Sequence, residues 1–340
     1  MSSELFNWKY QQTPKAKDPP VVVAEKNDSI VGAVGSFLVP FKLNQQRVLA
    51  SRPVDIMIDE EHRSHKLFIN LIEELRDLYT DDVVFEFGTG VRETRKAWER
   101  FGGWEYDYID KHVRINRPEK LLSQDINPFV FYLANFLGLM YKNAWRIRNK
   151  ISKSKTSHHV VYKESGYVQR AFNNTNVEDE YAVSIQRDAD YWEWRADDPR
   201  IKMSTYWVGS ADNPMASVLT ATRTAERSDC RIALQDHNNK NIEPLLSVYS
   251  KIIKDHTESA TIQYTNNKLP DEFVSDIGLD HMNKLEKLNY KNIINKMIGL
   301  LNENIEVEEL SRKPVGCLWL DSNVDGYKPQ EWEYSDLTSD

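Results

Sequence analysis

Two halves of this 340-residue chain repeat one hydrophobic pattern at a fixed distance. Phe68, Leu71, Ile72 and Leu75 fall at helical spacing, and 177 residues later so do Leu245, Val248, Tyr249 and Ile252. The same offset of 177 pairs the alternating, strand-like positions Val83, Phe85 and Phe87 with Ala260, Ile262 and Tyr264. One offset that holds across a helix and the strand after it points to a tandem repeat. Upstream, Phe6-Asn7-Trp8-Lys9-Tyr10 before Pro14 is echoed by Trp192-Glu193-Trp194-Arg195 before Pro199. Val21–Glu25 and Ile30–Val34 around Asn27-Asp28 read as a hairpin. Thr205–Val208 and Met215–Thr220 around Asp212-Asn213-Pro214 are its partner. Each half reads helix end, hairpin, strand, long helix, strand, short helix, strand. That order builds an α/β fold of two modules, with mixed, partly antiparallel sheets flanked by helices.

Length agrees with two domains at roughly 100–200 residues each. A formal charge of −8 argues against a mainly nucleic-acid-binding protein, so no nucleic acid is expected. The two cysteines, Cys230 and Cys317, are too few for a disulfide framework or a Cys-rich metal site, and no metal is expected. The opening residues have neither a basic n-region nor an apolar h-region, so the expected location is the cytoplasm. Pro128 to Tyr141 is the longest apolar run, but its 14 residues are too few to cross a bilayer. Basic residues from Lys142 to Lys155 follow it. A helix buried between modules is one reading, and peripheral contact with an anionic membrane is the other. The sequence thus divides into an N-terminal module over 1–114, a helical and basic linker over 115–164, and a C-terminal module over 165–340.

The richest stretch is the strand-to-helix corner after Val54, Ile56 and Ile58. Asp59, Glu60 and Glu61 suit the positive end of a helix dipole. His62-Arg63-Ser64-His65-Lys66 then leads into the helix from Leu67. Free amides at such a corner can hold a phosphate or pyrophosphate, and Arg63, His65 and Lys66 add positive charge.

At Glu61-His62-Arg63-Ser64-His65-Lys66-Leu67-Phe68 the chain resembles the GNAT family of N-acetyltransferases. Their central motif is a strand, an Arg/Gln-x-x-Gly-x-Gly/Ala turn, and a helix that grips the pyrophosphate of acetyl-CoA. Arg63, Leu67 and Phe68 match, whereas Ser64 and Lys66 stand in place of the two glycines. A short helix around Thr94–Arg100 and Phe101-Gly102-Gly103-Trp104 complete the resemblance, with Tyr106 and Tyr108 on a late strand. The second corner, Gln235 to Pro244, lacks glycine and puts Asp236 toward the phosphate position. The C-terminal module is therefore expected to be degenerate. The N-terminal module also lacks the family's opening strand and helix, so that part is missing or another segment supplies it.

The resemblance implies direct attack of an amine on the thioester of acetyl-CoA, the co-substrate. It implies a small-molecule amine acceptor, an amino sugar among the candidates. It places Ile56, Met57 and Ile58 against the thioester and pantetheine. Arg63, Ser64, His65, Lys66, Leu67, Phe68 and Thr94 fall on the cofactor. Glu86 is the expected base and Tyr106 the expected acid. Two alternatives stay open: a non-catalytic binding module, and an aminoacyl-tRNA-dependent ligase of related tandem fold. Asp321 to Gly326 opens like a calcium loop but has Trp332 where the loop needs Glu. His158-His159 has no partner at metal spacing, and Gly88-Thr89-Gly90 is too short for a dinucleotide fingerprint.

Overall fold

Asn27 and Asp28 both take positive φ, 50° and 59°. That two-residue turn matches the twist of the strands it joins. The computed structural model describes residues 2–13, 20–44, 46–79, 83–89, 92–116, 159–172, 183–186, 188–223, 229–237, 243–259, 261–265, 312–320 and 332–333. The chain opens with α1 (Ser3–Phe6), which runs into a π-helical turn over Asn7–Gln11. Next come β1 (Val21–Lys26), β2 (Ser29–Leu43), β3 (Gln46–Ile58), α2 (His65–Asp77) and β4 (Val83–Gly88). Helix α3 (Arg92–Ala97) continues as a π-helical turn to Gly102 and stops at Gly103, whose φ of 73° ends the helix in the left-handed region. β5 (Glu105–Ile115) follows.

The second half contributes β6 (Val161–Ser165), β7 (Val183–Ile185), α4 (Ala189–Ala196), β8 (Ile201–Ser210), β9 (Asn213–Arg223) and β10 (Cys230–His237). It ends with α5 (Glu243–Asp255), β11 (Thr261–Thr265), β12 (Arg312–Trp319) and β13 (Trp332–Glu333). The described strands form one sheet in the order β13-β7-β2-β3-β4-β12-β5-β11-β10-β9-β8-β6, with β1 also paired to β2.

The repeat read from the sequence is present in three dimensions. Helix α2 buries Phe68, Leu71, Ile72 and Leu75, and α5 buries Leu245, Val248, Tyr249 and Ile252. Each such side chain contributes about 1.5–3 kcal/mol of burial. The unit β2-β3-α2-β4 corresponds to β9-β10-α5-β11, with β3–β4 and β10–β11 as the parallel pairs. The strands nevertheless interleave. β12 comes from residues 312–319 yet lies between β4 and β5. β5 pairs β12 through Glu105–Asp110 and β11 through Lys111–Ile115, so it belongs to both halves of the sheet. β7 pairs Leu43 to Phe41 of β2, which supplies an outer strand that the first 114 residues lack.

The two aromatic motifs meet at the junction. Trp8 and Trp194 stack with ring centroids 5.0 Å apart and planes 6° from parallel. Each indole N–H donates to the other's backbone carbonyl, at 2.7 Å from Trp8 and 3.0 Å from Trp194. Arg195 lies over both rings, and Arg200 lies over Trp8. Asp198 is buried beneath and holds the Arg200 guanidinium with both oxygens. Two hydrogen bonds, stacking and cation–π contact converge here.

The apolar run over 128–141, the basic residues to Lys155 and the calcium-like loop over 321–326 lie outside the described residues. Among the described residues, no helix is long and apolar enough to cross a membrane, and no group of three His, Cys, Asp or Glu could hold a metal. Replacing Trp8 with Ala removes the stack and the indole bond to the Trp194 carbonyl. Urea unfolding should show a loss of about 3–5 kcal/mol.

Candidate functional site

β3 and β4 pair in parallel only from Leu49 opposite Val83 to Ser51 opposite Glu86. Past that point β3 runs on to Ile58, β4 ends at Gly88, and the two strands part. The gap is a cleft of roughly 230 Å³. Arg52, Pro53, Val54, Asp55 and Ile56 form the β3 wall, and Gly88 and Thr89 form the β4 wall. Thr94, Trp98 and Trp104 close one side, and Lys9 reaches in from the N-terminal turn.

A buried polar network sits at the point where the strands divide. Glu86 has no exposed surface. Its carboxylate accepts from Arg76 Nε at 3.2 Å and Nη2 at 2.6 Å, from Tyr79 at 3.0 Å, and from the Trp104 indole at 3.1 Å. Arg76 also donates to the Gly102 carbonyl at 2.7 Å. Ser51 donates to the Tyr79 hydroxyl, and Ser36 and Ser51 share a hydrogen bond of 2.6 Å. Burial and the nearby Glu86 charge raise the Tyr79 pKa well above the tyrosine range. The network ties β2, β3, α2, β4 and the residues before β5 together.

The second feature is a bulge. Ala33 pairs with Met57 and Gly35 with Val54, so β3 carries one more residue than β2 between those pairs. Asp55 lies in it with φ of 52°, a conformation that non-glycine residues seldom adopt. Its carboxylate accepts from Lys9 at 2.8 Å and from the Tyr10 hydroxyl at 2.7 Å. Lys9 is almost fully buried. Gly35 makes room for this arrangement, because a Cβ there would lie 2.4 Å from the Tyr10 hydroxyl.

The third feature is the corner at α2. Ser64 caps the helix, its hydroxyl accepting from the Leu67 amide at 3.2 Å. The amides of Glu61, His62, Arg63 and Phe68 are also engaged within the turn. Among the described residues, the amides of Ser64, His65 and Lys66 keep no internal partner. Arg63 donates to the Ile58 carbonyl at 3.3 Å, which fastens a cation to the end of β3. His65 packs on Phe101, and Arg100 lies over the same ring.

The residues expected to bind cofactor therefore separate. Ile56 and Thr94 line the cleft. Ile58 touches the corner through its carbonyl, and Arg63, Ser64, His65 and Lys66 surround the helix start. Leu67 and Phe68 face the apolar core around α2. Met57 lies 62 % exposed. Glu86 lies at the base of the fork with four donors on its carboxylate, not as a solvated group beside the cleft. Tyr106 is outside the cleft lining, and its buried hydroxyl has no hydrogen-bond partner among the described residues. Burial raises its pKa above the tyrosine range, against a partial offset from Arg95. The sequence reading did not assign Lys9, Tyr10, Arg52, Asp55, Thr89 or Trp98 to the site, whereas the motif ending at Trp104 was read as closing it. The one available signal was Lys9-Tyr10 beside Trp8, because the bulge has no sequence mark. In the second module Gln235 accepts from the Tyr249 hydroxyl at 2.7 Å, Asp236 and His237 continue β10 opposite Ser217 and Ala216, and residues 238–242 of that corner are outside the described residues.

Together these features define the class: a two-module GNAT fold, with mixed sheets flanked by helices. No protein-family model matches the sequence, and comparison with curated proteins gives no match. Solved structures with this fold include Saccharomyces cerevisiae N-myristoyltransferase with bound myristoyl-CoA and inhibitors. It is 11 % identical, with a TM-score of 0.50 over 99 % of this chain and 76 % of that one. A GCN5-related N-acetyltransferase from Anabaena variabilis is 11 % identical, with a TM-score of 0.46 over 89 % of this chain. This chain spans 63 % of that protein's length. A tandem GNAT protein from the clavulanic acid biosynthesis pathway is 8 % identical, with a TM-score of 0.47 over 94 % of this chain and 88 % of that one.

Glu86→Ala leaves Arg76 and the Trp104 indole without their acceptor. The variant should lose about 3–5 kcal/mol in urea unfolding. Tryptophan fluorescence should shift as Trp104 is released.

Proposed function

We propose that this chain is an acyl-CoA-dependent N-acyltransferase, with acetyl-CoA as donor and a small amine as acceptor. The observation that carries this reading is the fork between β3 and β4, continuous along β3 with an amide- and cation-bearing helix start. Ser64, His65 and Lys66 offer amides to the diphosphate, and Arg63 and Lys66 offer charge. The pantetheine then runs back along Ile58, Met57 and Ile56 into the cleft, against strand backbone that β4 has left unpaired.

The neutral amine attacks the thioester carbonyl. A C–N bond forms, the C–S bond breaks, and the thiolate takes a proton as it leaves. Amides of the parted strand stabilise the oxygen as it gains charge. Tyr106, the sequence-based choice of proton donor, is buried outside the cleft lining, so the proton that the amine gives up supplies the departing thiolate. Glu86 was the sequence-based choice of base. Its complete burial and four hydrogen bonds suit a brace that sets the fork's width, so the carboxylate assigned to the amine is Asp55. One observation favours a non-catalytic binding module instead: the Ser64 hydroxyl occupies the Leu67 amide, where a glycine would leave it open.

Calorimetry with acetyl-CoA separates the two readings. Binding at micromolar to low-millimolar cofactor supports the enzyme, and no heat at millimolar cofactor rejects it. Lys66→Glu should weaken binding about tenfold, equivalent to about 1.4 kcal/mol. Lys202→Glu, at an exposed position of the largely buried β8, should leave it unchanged. Equal effects would displace the diphosphate from the corner.

A further inference from the structure

One face of the first sheet carries an uncovered apolar row that ends beside Asp55. Val23 of β1 pairs with Ala33 of β2, and Ala33 pairs with Met57 of β3. Residues directly opposite in antiparallel strands project from the same face. At about 4.8 Å per strand the row is roughly 10 Å long. Val23 is 53 % exposed and Met57 62 %. Val21, two residues from Val23, extends the row and is also exposed. The other face is covered, because Val22, Ala24, Ile56 and Ile58 pack with α2.

The row has a polar end. Tyr10 lies over Gly35 on this same face, and its hydroxyl holds Asp55. Lys9 donates to the same carboxylate, which fixes its direction. A carboxylate has about four lone-pair sites, so Asp55 can accept further hydrogen bonds. It also lines the cleft between β3 and β4.

We infer that the acceptor is an amine on an apolar body about 10 Å long, laid across Val23, Ala33 and Met57 with its nitrogen at Asp55. This rests on the acyltransferase reading above and deepens it. Valine and methionine are exposed in cross-strand register next to a polar cleft. An amino sugar would set its hydroxyls against these side chains, where they find no hydrogen-bond partner. A protein partner needs about 800 Å² on each side, far more than one row of three residues supplies.

The test uses the full chain with acetyl-CoA and measures thiol release with phenethylamine, hexylamine and glucosamine. Phenethylamine and hexylamine should exceed glucosamine in kcat/KM by about 100-fold. Val23→Glu should raise the phenethylamine KM about tenfold and leave the acetyl-CoA KM unchanged. The Val23 side chain is exposed, so this variant should fold. Preference for glucosamine, or a phenethylamine KM unmoved in Val23→Glu, would overturn the inference while leaving acyl transfer intact. If acetyl-CoA does not bind, the acyltransferase reading falls. Saturation-transfer NMR of phenethylamine then decides the surface alone. Binding lost in Met57→Glu supports it, and no binding to the wild-type chain overturns it.

Discussion

A single buried charge governs the geometry of the first module. Glu86 stands opposite Ser51, at the last rung where β3 and β4 are joined. An unpaired carboxylate at that depth would be costly, so the fold surrounds it with Arg76, Tyr79 and Trp104. Those partners come from α2, the turn directly after it and the residue before β5. Satisfying the charge therefore sets where α2 ends, where β5 begins and how far the strands stay together. Trp104 belongs to the brace and to the cleft wall, so the charge and the open space beside it are mechanically linked.

The second half reproduces the parting of strands, since β10 and β11 pair only through Cys230–Ile262 and Arg231–Gln263. It does not reproduce the brace. Position 263 is Gln, and the polar contacts there run to Thr261 and Asp229 instead. Its aromatic motif, Trp192 to Arg195, holds the modules together. The stacked indoles bring Lys9 along, because Lys9 follows Trp8 directly. The ammonium that orients Asp55 is thus delivered by the junction, so the second module shapes the first site from a distance.

How much of this was legible follows from periodicity. The eight apolar positions of the two long helices were read from spacing alone, and all eight are buried. The hairpin at Asn27-Asp28 was readable because its turn needs residues that tolerate positive φ. The reach of β2 and β3 was not, because Pro40 and Pro53 lie inside them, and proline argues against a strand interior. Glu86 was picked out as chemically important, but not its partners Arg76 and Tyr79, which meet it only through the tertiary fold. Asp55 was invisible for a similar reason. In the alternation Val54-Asp55-Ile56 it looks like an ordinary polar strand position, and only the bulge turns it toward Tyr10.

The position of β12 has a consequence for how the chain is made. Residues 312–319 fill the space between β4 and β5, so both inner edges stay bare until those residues leave the ribosome. The earlier part of the nascent chain cannot finish its own sheet during synthesis. It must wait, with two sticky β-edges open to neighbours, for residues 312–319 to emerge.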